Sequence, residues 1–266
     1  MKKEATNRIE KAAELALKNL ESWKLPVDPI EIAKKEEIEL LPDDYGEGFD
    51  GRIRFLNEIE RFAISYRKVA LGRSEGRVRF TIAHELGHYY LHRDYLLAGK
   101  CHTSTTNFAS NDQMEFEADS FAAALLMPMD LFRQRVKRLR SHVADLNDLR
   151  KMASNDFRTS ITSTVRRYCQ SDVEPCGAIF SRAGTVQWAQ FSQDMSYLGM
   201  GFFPFGQKLP EGSVTAKMNQ RSDSESSGAV DPWVWFDSPK CENKKLWEES
   251  MVLGSTGVTL TYLTLQ

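Results

Sequence analysis

The chain has 266 residues, of which 41% are hydrophobic and 27% charged, with a formal net charge of −2. That is the balance of an ordinary soluble globular protein, long enough for one large domain or two modest ones, and a near-neutral total leaves room for a local charged patch. Four cysteines (Cys101, Cys169, Cys176 and Cys241) exclude a disulfide framework and point to reduced thiols in the cytoplasm. No apolar run approaches the ~18 residues of a membrane span, so no membrane partner is expected.

The N-terminus has the basic start of a signal peptide, but charge then alternates with apolar residues and no apolar core segment follows. Ala13, Leu15, Leu17, Leu20 and Trp23 fit an amphipathic helix instead. A short helix is expected after Asp28-Pro29, then a short strand. The alternating segments around Asn57-Glu58 predict a β-hairpin over about residues 50–56 and 61–66. From Arg77 to about Leu91 the pattern is helical. A polar loop covers roughly 99–112, and a second helix runs through FEADSFAAALLM to end at Met127-Pro128. Residues 129–168 read as helices. From Pro175 onward CGAIFSR, TVQWAQFS, AVDPWVWFD, SMVLGS and GVTLTYLTL read as strands, with 218–228 an exposed polar loop. The fold class expected is α+β in three parts: a zincin-like domain with a small sheet (1–130), a basic helical connector (131–170) and a mixed, β-rich C-terminal domain (171–266).

The strongest signal is HELGH at 84–88. His84 and His88 lie four residues apart, on one helix face, where two imidazoles can grip one tetrahedral zinc. Glu85 follows at ~100° around the helix, placed to take the proton of a zinc-activated water. Catalytic zinc sites need a third protein ligand, and Glu115 at the start of the next helix is the choice. Asp119 lies four residues on, on the same face, and can accept the free N–H of a ligand histidine. Glu117 competes for the third place but points away from Asp119. His92 continues the four-residue series, yet ~12 Å separates it from His84, so a structural or supporting role is expected. Four of the five histidines fall between 84 and 102, which argues against a chance match.

The stretch RFTIAHELGHYYLH followed by EFEADSFAAALLMP resembles the ImmA/IrrE family of bacterial metallopeptidases, and the upstream GFDGRI before a hairpin is similar as well. The resemblance covers about residues 20–130. It implies one Zn2+ per chain on His84, His88 and Glu115, with Glu85 as catalytic base. It also implies a biological role: cleavage of a helix-turn-helix repressor that switches on stress, DNA-damage or phage-defence genes. Some members carry a helical segment and a GAF-like sensory domain after the peptidase, the layout expected here.

Cys101 lies in the loop between the two ligand helices, where a thiolate could fill the fourth zinc position and hold the enzyme latent; an ordinary loop cysteine is the other reading. The oxyanion donor stays open among Tyr89, Tyr90 and His102. Between 131 and 168 ten Lys/Arg stand against three Asp, a net of +7. LNDLRKMASNDFRTSITSTVRRY has the look of two helices joined by a turn. Arg133, Arg135, Lys137, Arg138 and Arg140 are candidate contacts for DNA, single-stranded or damaged, as an activating signal. The plainer reading is a solvated helix face that also binds the acidic remainder of the chain. Trp188, Trp233, Trp235 and Trp247 belong to either a ligand pocket or a core.

The expected activity is thus a zinc endopeptidase acting on one protein substrate laid as a strand beside the 50–66 hairpin. Its rival is a regulator that binds DNA or a repressor without cutting and keeps the zinc for structure. The presence of Glu85 favours cutting.

Overall fold

The computed structural model describes residues 2–46, 48–68, 75–100, 104–105, 113–139, 143–237, 239–240, 244–254 and 257–266. The chain forms two compact units, Met1–Leu131 with Ala153–Ser160, and Phe132–Met152 with Ile161–Gln266. Among the described residues no helix is long and apolar enough to cross a membrane.

The first unit begins with α1 (Lys2–Lys18), α2 (Pro29–Lys35) and β1 (Glu39–Asp43). The buried stripe of α1 is Ile9, Ala13, Ala16 and Leu17, while Leu15 and Trp23, expected on the apolar face, are exposed. Asp28 caps α2 by accepting from the Ile30 N–H at 3.0 Å, and Pro29 takes the first helical position, where no donor is needed. The expected hairpin is β2 (Phe49–Leu56) and β3 (Arg61–Arg67). Helices α3 (Glu75–Leu91) and α4 (Arg93–Leu97), the short strand β4 (Ser104–Thr105) and α5 (Gln113–Leu126) follow.

The sheet order is β1-β3-β2-β4, with β1 parallel to β3 and the other pairs antiparallel. The hairpin therefore has a neighbouring strand on each side. Strand β1 closes β3, and β4 pairs with the start of β2 at Phe49 and Gly51. Parallel pairing of β1 with β3 joins strands far apart in sequence, which a local alternation pattern does not reveal. The core of this unit lies between sheet and helices, with Ile53, Phe62, Ile64, Ile82, Leu86, Phe121 and Leu125 buried.

The chain leaves through α6 (Met129–Lys137) and continues as α7 (Leu146–Lys151), a π-helical turn over Met152–Phe157, and α8 (Ile161–Ser171). The segment expected as one connector is divided, since residues 153–160 pack in the first unit and 132–152 and 161–170 in the second. Strands β5 (Cys176–Arg182) and β6 (Thr185–Phe191), helices α9 (Gln193–Tyr197) and α10 (Val214–Arg221), β7 (Glu225–Val230), β8 (Leu246–Leu253) and β9 (Val258–Leu265) complete the second unit. They form an antiparallel sheet in the order β6-β5-β9-β8-β7.

The polar stretch 218–228 is not a loop: it supplies the end of α10 and most of β7, an edge strand whose Ser and Gly residues pair along β8. AVDPWVWFD is not a continuous strand either. β7 stops at Val230, and Pro232 opens a 3-10 turn capped by Asp231, which accepts from the Trp233 N–H at 3.1 Å. The tryptophans differ in setting: Trp235 is core, Trp233 is exposed, and the Trp188 ring carries the Arg166 guanidinium 4.2 Å above its centroid. The Trp235 indole donates to the fully buried Glu248 at 2.9 Å, and the Thr215 amide and hydroxyl each donate to the same carboxylate at 2.7 Å. Three donors compensate a charge that would otherwise be costly to bury.

Helix α8, expected as the second helix of a DNA-binding pair, packs on β5 and β6 with Val165, Arg167, Tyr168 and Cys169 buried. Its charges are committed inside the unit. Arg150 likewise pairs with Glu225 at 2.7 Å and Arg158 with Glu75 at 3.3 Å, so acids distant in sequence answer two of the ten basic residues.

Candidate metal centre

Helices α3 and α5 build the site, and glycine lets them approach. A Cβ at Gly87 would lie 2.9 Å from Ala118 Cα and 3.0 Å from its carbonyl oxygen. Only a residue with no side chain admits that backbone, and the close crossing sets Glu115 of α5 opposite His84 and His88 of α3. Strand β2 approaches the same helix through Gly51, whose Cβ would meet Thr81 Cγ2 at 2.5 Å and Glu85 Oε1 at 2.8 Å. Arg77 near the start of α3 reaches back to Asp50 of β2 with both ends of its fork, at 2.7 and 3.3 Å, which fixes the register of helix on strand.

The three donors converge. His84 Nε2 lies 3.2 Å from His88 Nε2 and 3.3 Å from Glu115 Oε2, and His88 Nε2 lies 3.2 Å from Glu115 Oε1. Tetrahedral ligands at zinc bond lengths of ~2.0–2.1 Å stand about 3.3 Å apart. The donor set therefore fits a single zinc-sized cation in both chemistry and spacing. Glu85 is wholly buried beside it on α3.

Each imidazole is held from behind. His84 Nδ1 lies 2.9 Å from Asp119 Oδ1, the contact expected from the four-residue spacing on α5. His88 Nδ1 lies 3.1 Å from His92 Nδ1, and His92 Nε2 lies 3.1 Å from Glu117 Oε2. Glu117 also accepts from Gln113 at 2.9 Å and from Arg8 of α1. Sequence reasoning gave His92 a supporting place without its partner; the signal was the same interval of four, counted from His88 rather than His84.

Two of the oxyanion candidates are turned elsewhere. Tyr89 and Tyr90 both donate to Glu36, at 2.9 and 2.7 Å, so their hydroxyls brace α2 against α3. Cys101 and His102 lie outside the described residues, as does Arg140. Of the other basic candidates, Arg133, Lys137 and Arg138 are exposed and Arg135 is half-buried, with Arg133 Nε donating to the Ser171 carbonyl at 3.0 Å.

Burial works to lower the His84 pKa, but hydrogen bonds with Asp119 and Glu115 outweigh it and push it up to about 10. Burial also works to raise the Glu115 pKa, and the hydrogen bonds with His84 and His88 overcome it, holding the carboxyl well below its usual range. A histidine that binds its proton more tightly folded than unfolded stabilises the fold fully below its unfolded pKa, near 6.5, and loses that contribution as pH rises through about 10. The metal-free protein should therefore melt at lower temperature as pH is raised from 7 toward 10. The zinc-loaded protein should not share this decline, because the cation takes the proton's place. Thermal melts across that window, with chelator and with zinc, check it; a metal-free curve parallel to the zinc-loaded one would contradict it.

A model of the IrrE N-terminal-like domain matches residues 60–167, a span that includes all three donor residues, Glu85 and Asp119. Among solved structures, a Mycobacterium tuberculosis transcriptional regulator is similar at a TM-score of 0.63 and 15% identity, covering 96% of this chain and 75% of that chain. At that identity the likeness is one of fold. Comparison with curated proteins gives no match. HELGH on α3 and its acidic partner helix α5 both lie inside the matched span, so the metal centre falls within the part of the chain that is similar to an IrrE N-terminal-like domain.

Proposed function

We propose that the chain is a zinc-dependent endopeptidase that cleaves one protein substrate, a helix-turn-helix transcriptional repressor, and so induces stress, DNA-damage or phage-defence genes. The observation that carries this reading is the convergence of His84, His88 and Glu115 at tetrahedral spacing with a buried carboxylate, Glu85, on the same helix. A structural zinc site has no use for that carboxylate. Zinc, when bound, supplies the Lewis acidity that polarises the scissile carbonyl and acidifies the attacking water. Glu85 takes the water's proton and passes it to the leaving amine. Gly51 keeps β2 close against Glu85, and an extended substrate strand laid beside the hairpin would pass near that carboxylate.

The similar fold of a protein described as a transcriptional regulator supports a regulatory setting. The exposed Lys137 and Arg138 at the end of α6 support DNA as the activating input. Mapping new protein N-termini in bacteria carrying the intact chain or Glu85→Ala, with and without DNA damage, tests the whole reading. The expected result is a new terminus inside a helix-turn-helix regulator that requires Glu85. Zinc binding without any Glu85-dependent terminus in either condition would instead favour a regulator that binds without cutting.

A further inference from the structure

Helix α5 offers three carboxylates in its first two turns, and they divide their work. Glu115 and Asp119, four residues apart, face His84 and the donor cluster. Glu117 lies ~200° around the helix from Glu115 and faces the other way, toward His92 and α1. The two ligand histidines are consequently braced by different means. His84 has a carboxylate directly on Nδ1, and that carboxylate is 40% exposed. The His88 side chain is only 1% exposed, and a second imidazole, His92, stands between it and the nearest carboxylate.

The hydrogen bonding of that chain has one self-consistent arrangement. Two ring nitrogens 3.1 Å apart, His88 Nδ1 and His92 Nδ1, need one hydrogen between them, since two lone pairs or two N–H groups would repel. His88 Nε2 points at His84 and Glu115 and must present a lone pair to serve as a ligand, so Nδ1 carries the hydrogen and donates it. His92 Nδ1 accepts, which leaves His92 Nε2 to donate to Glu117 Oε2 at 3.1 Å. Arg8 donates to the same Oε2, and Gln113 donates to Oε1, so both carboxylate oxygens are held. Every member is fixed by the next, and both side chains at the middle, His92 and Glu117, are about nine-tenths buried.

We propose that His92 is a positioning residue for the metal centre, holding His88 in the Nδ1–H tautomer with Nε2 turned to the cation, and that Glu117 and Arg8 secure His92 in that role. The inference rests on the zinc reading above but not on cleavage. Its consequence is that helix α1, through Arg8, contributes to a site whose ligands all lie on α3 and α5.

Zinc affinity of the full chain, read by competition with a chromophoric chelator, tests it without any substrate. His92→Leu removes the acceptor and should weaken zinc binding by ~10–100-fold, the usual effect of losing a ligand's hydrogen-bond partner. His92→Asn, whose amide oxygen falls near the place of Nδ1, should bind within a few-fold of wild type. Glu117→Gln should lie between the two. With both proteins zinc-free, the ring-nitrogen NMR shifts of His88 should report the Nδ1–H form in the wild type and a mixture of tautomers in His92→Leu. A His92→Leu protein that binds zinc as tightly as wild type overturns the proposal and leaves the peptidase reading standing. A wild type that binds no zinc overturns both. If His92→Leu does not fold, Glu117→Gln carries the same test: unchanged affinity and unchanged His88 shifts overturn the proposal.

Discussion

Replacing Glu85 by Gln should abolish cleavage while leaving the zinc in place. The amide keeps the shape of the carboxylate and its fit against Gly51, so β2 and α3 have no reason to move. What is lost is the ability to take a proton from water and return it to the leaving amine. Groups of that kind contribute ~10²–10⁴-fold, and the rate of substrate cutting should fall by at least that much. Single-turnover cleavage beside metal analysis separates the two effects. Retained zinc with near-normal cutting would remove Glu85 from the chemistry, whereas loss of zinc would make it a structural support of the site.

The second large effect is expected at Gly87. On propensity alone, Gly→Ala inside a helix should stabilise by ~1 kcal/mol. Here the added Cβ would meet Ala118 Cα at 2.9 Å and Phe121 Cβ at 3.2 Å, besides the Ala118 carbonyl. Two of those three neighbours are main-chain atoms and cannot rotate away, so α5 itself must shift. Overpacking of this sort costs ~1–3 kcal/mol, enough to cancel the propensity gain and more. The shift also carries Glu115 away from donors now 3.2 and 3.3 Å distant. Gly87→Ala should therefore lower the melting temperature and weaken zinc binding together. Ser120→Ala, elsewhere on α5 and on no ligand, is the control that should do neither. A more stable Gly87→Ala protein with normal zinc affinity would show that the helices can part without cost.

What the sequence revealed of the site follows from how it is built. Ligands at intervals of four on helices need only the helix repeat to be placed, so His84, His88, Glu115 and Asp119 could be assembled on paper and come together in the structure. The bracing of His88 by His92 used the same interval, but measuring reach from the first histidine alone hid it. Glycine's part was harder to see. Gly51 and Gly87 look like breaks in a strand and a helix, and their use is apparent only when the partner element is present. The charge run left two readings open for a related reason. The run of Lys and Arg after residue 131 is dense in sequence, yet Glu75, Glu225 and the Trp188 ring, all remote along the chain, meet several of its members. The C-terminal strands were legible where β-branched and aromatic residues dominate. They were missed at β7, whose Ser-Ser-Gly centre gains its order from pairing with β8.

The return of residues 153–160 to the first unit bears on biosynthesis. The first unit is not complete when α5 leaves the ribosome. Its last piece, with Arg158 for Glu75 and Thr159 beside Met127, emerges only after α6 and α7 have been made. A nascent chain thus holds both helices of the candidate metal centre before the last segment of their unit has been made. A fragment cut near residue 131 would lack residues 153–160 of this unit, so one meant to carry the whole unit has to run past residue 160.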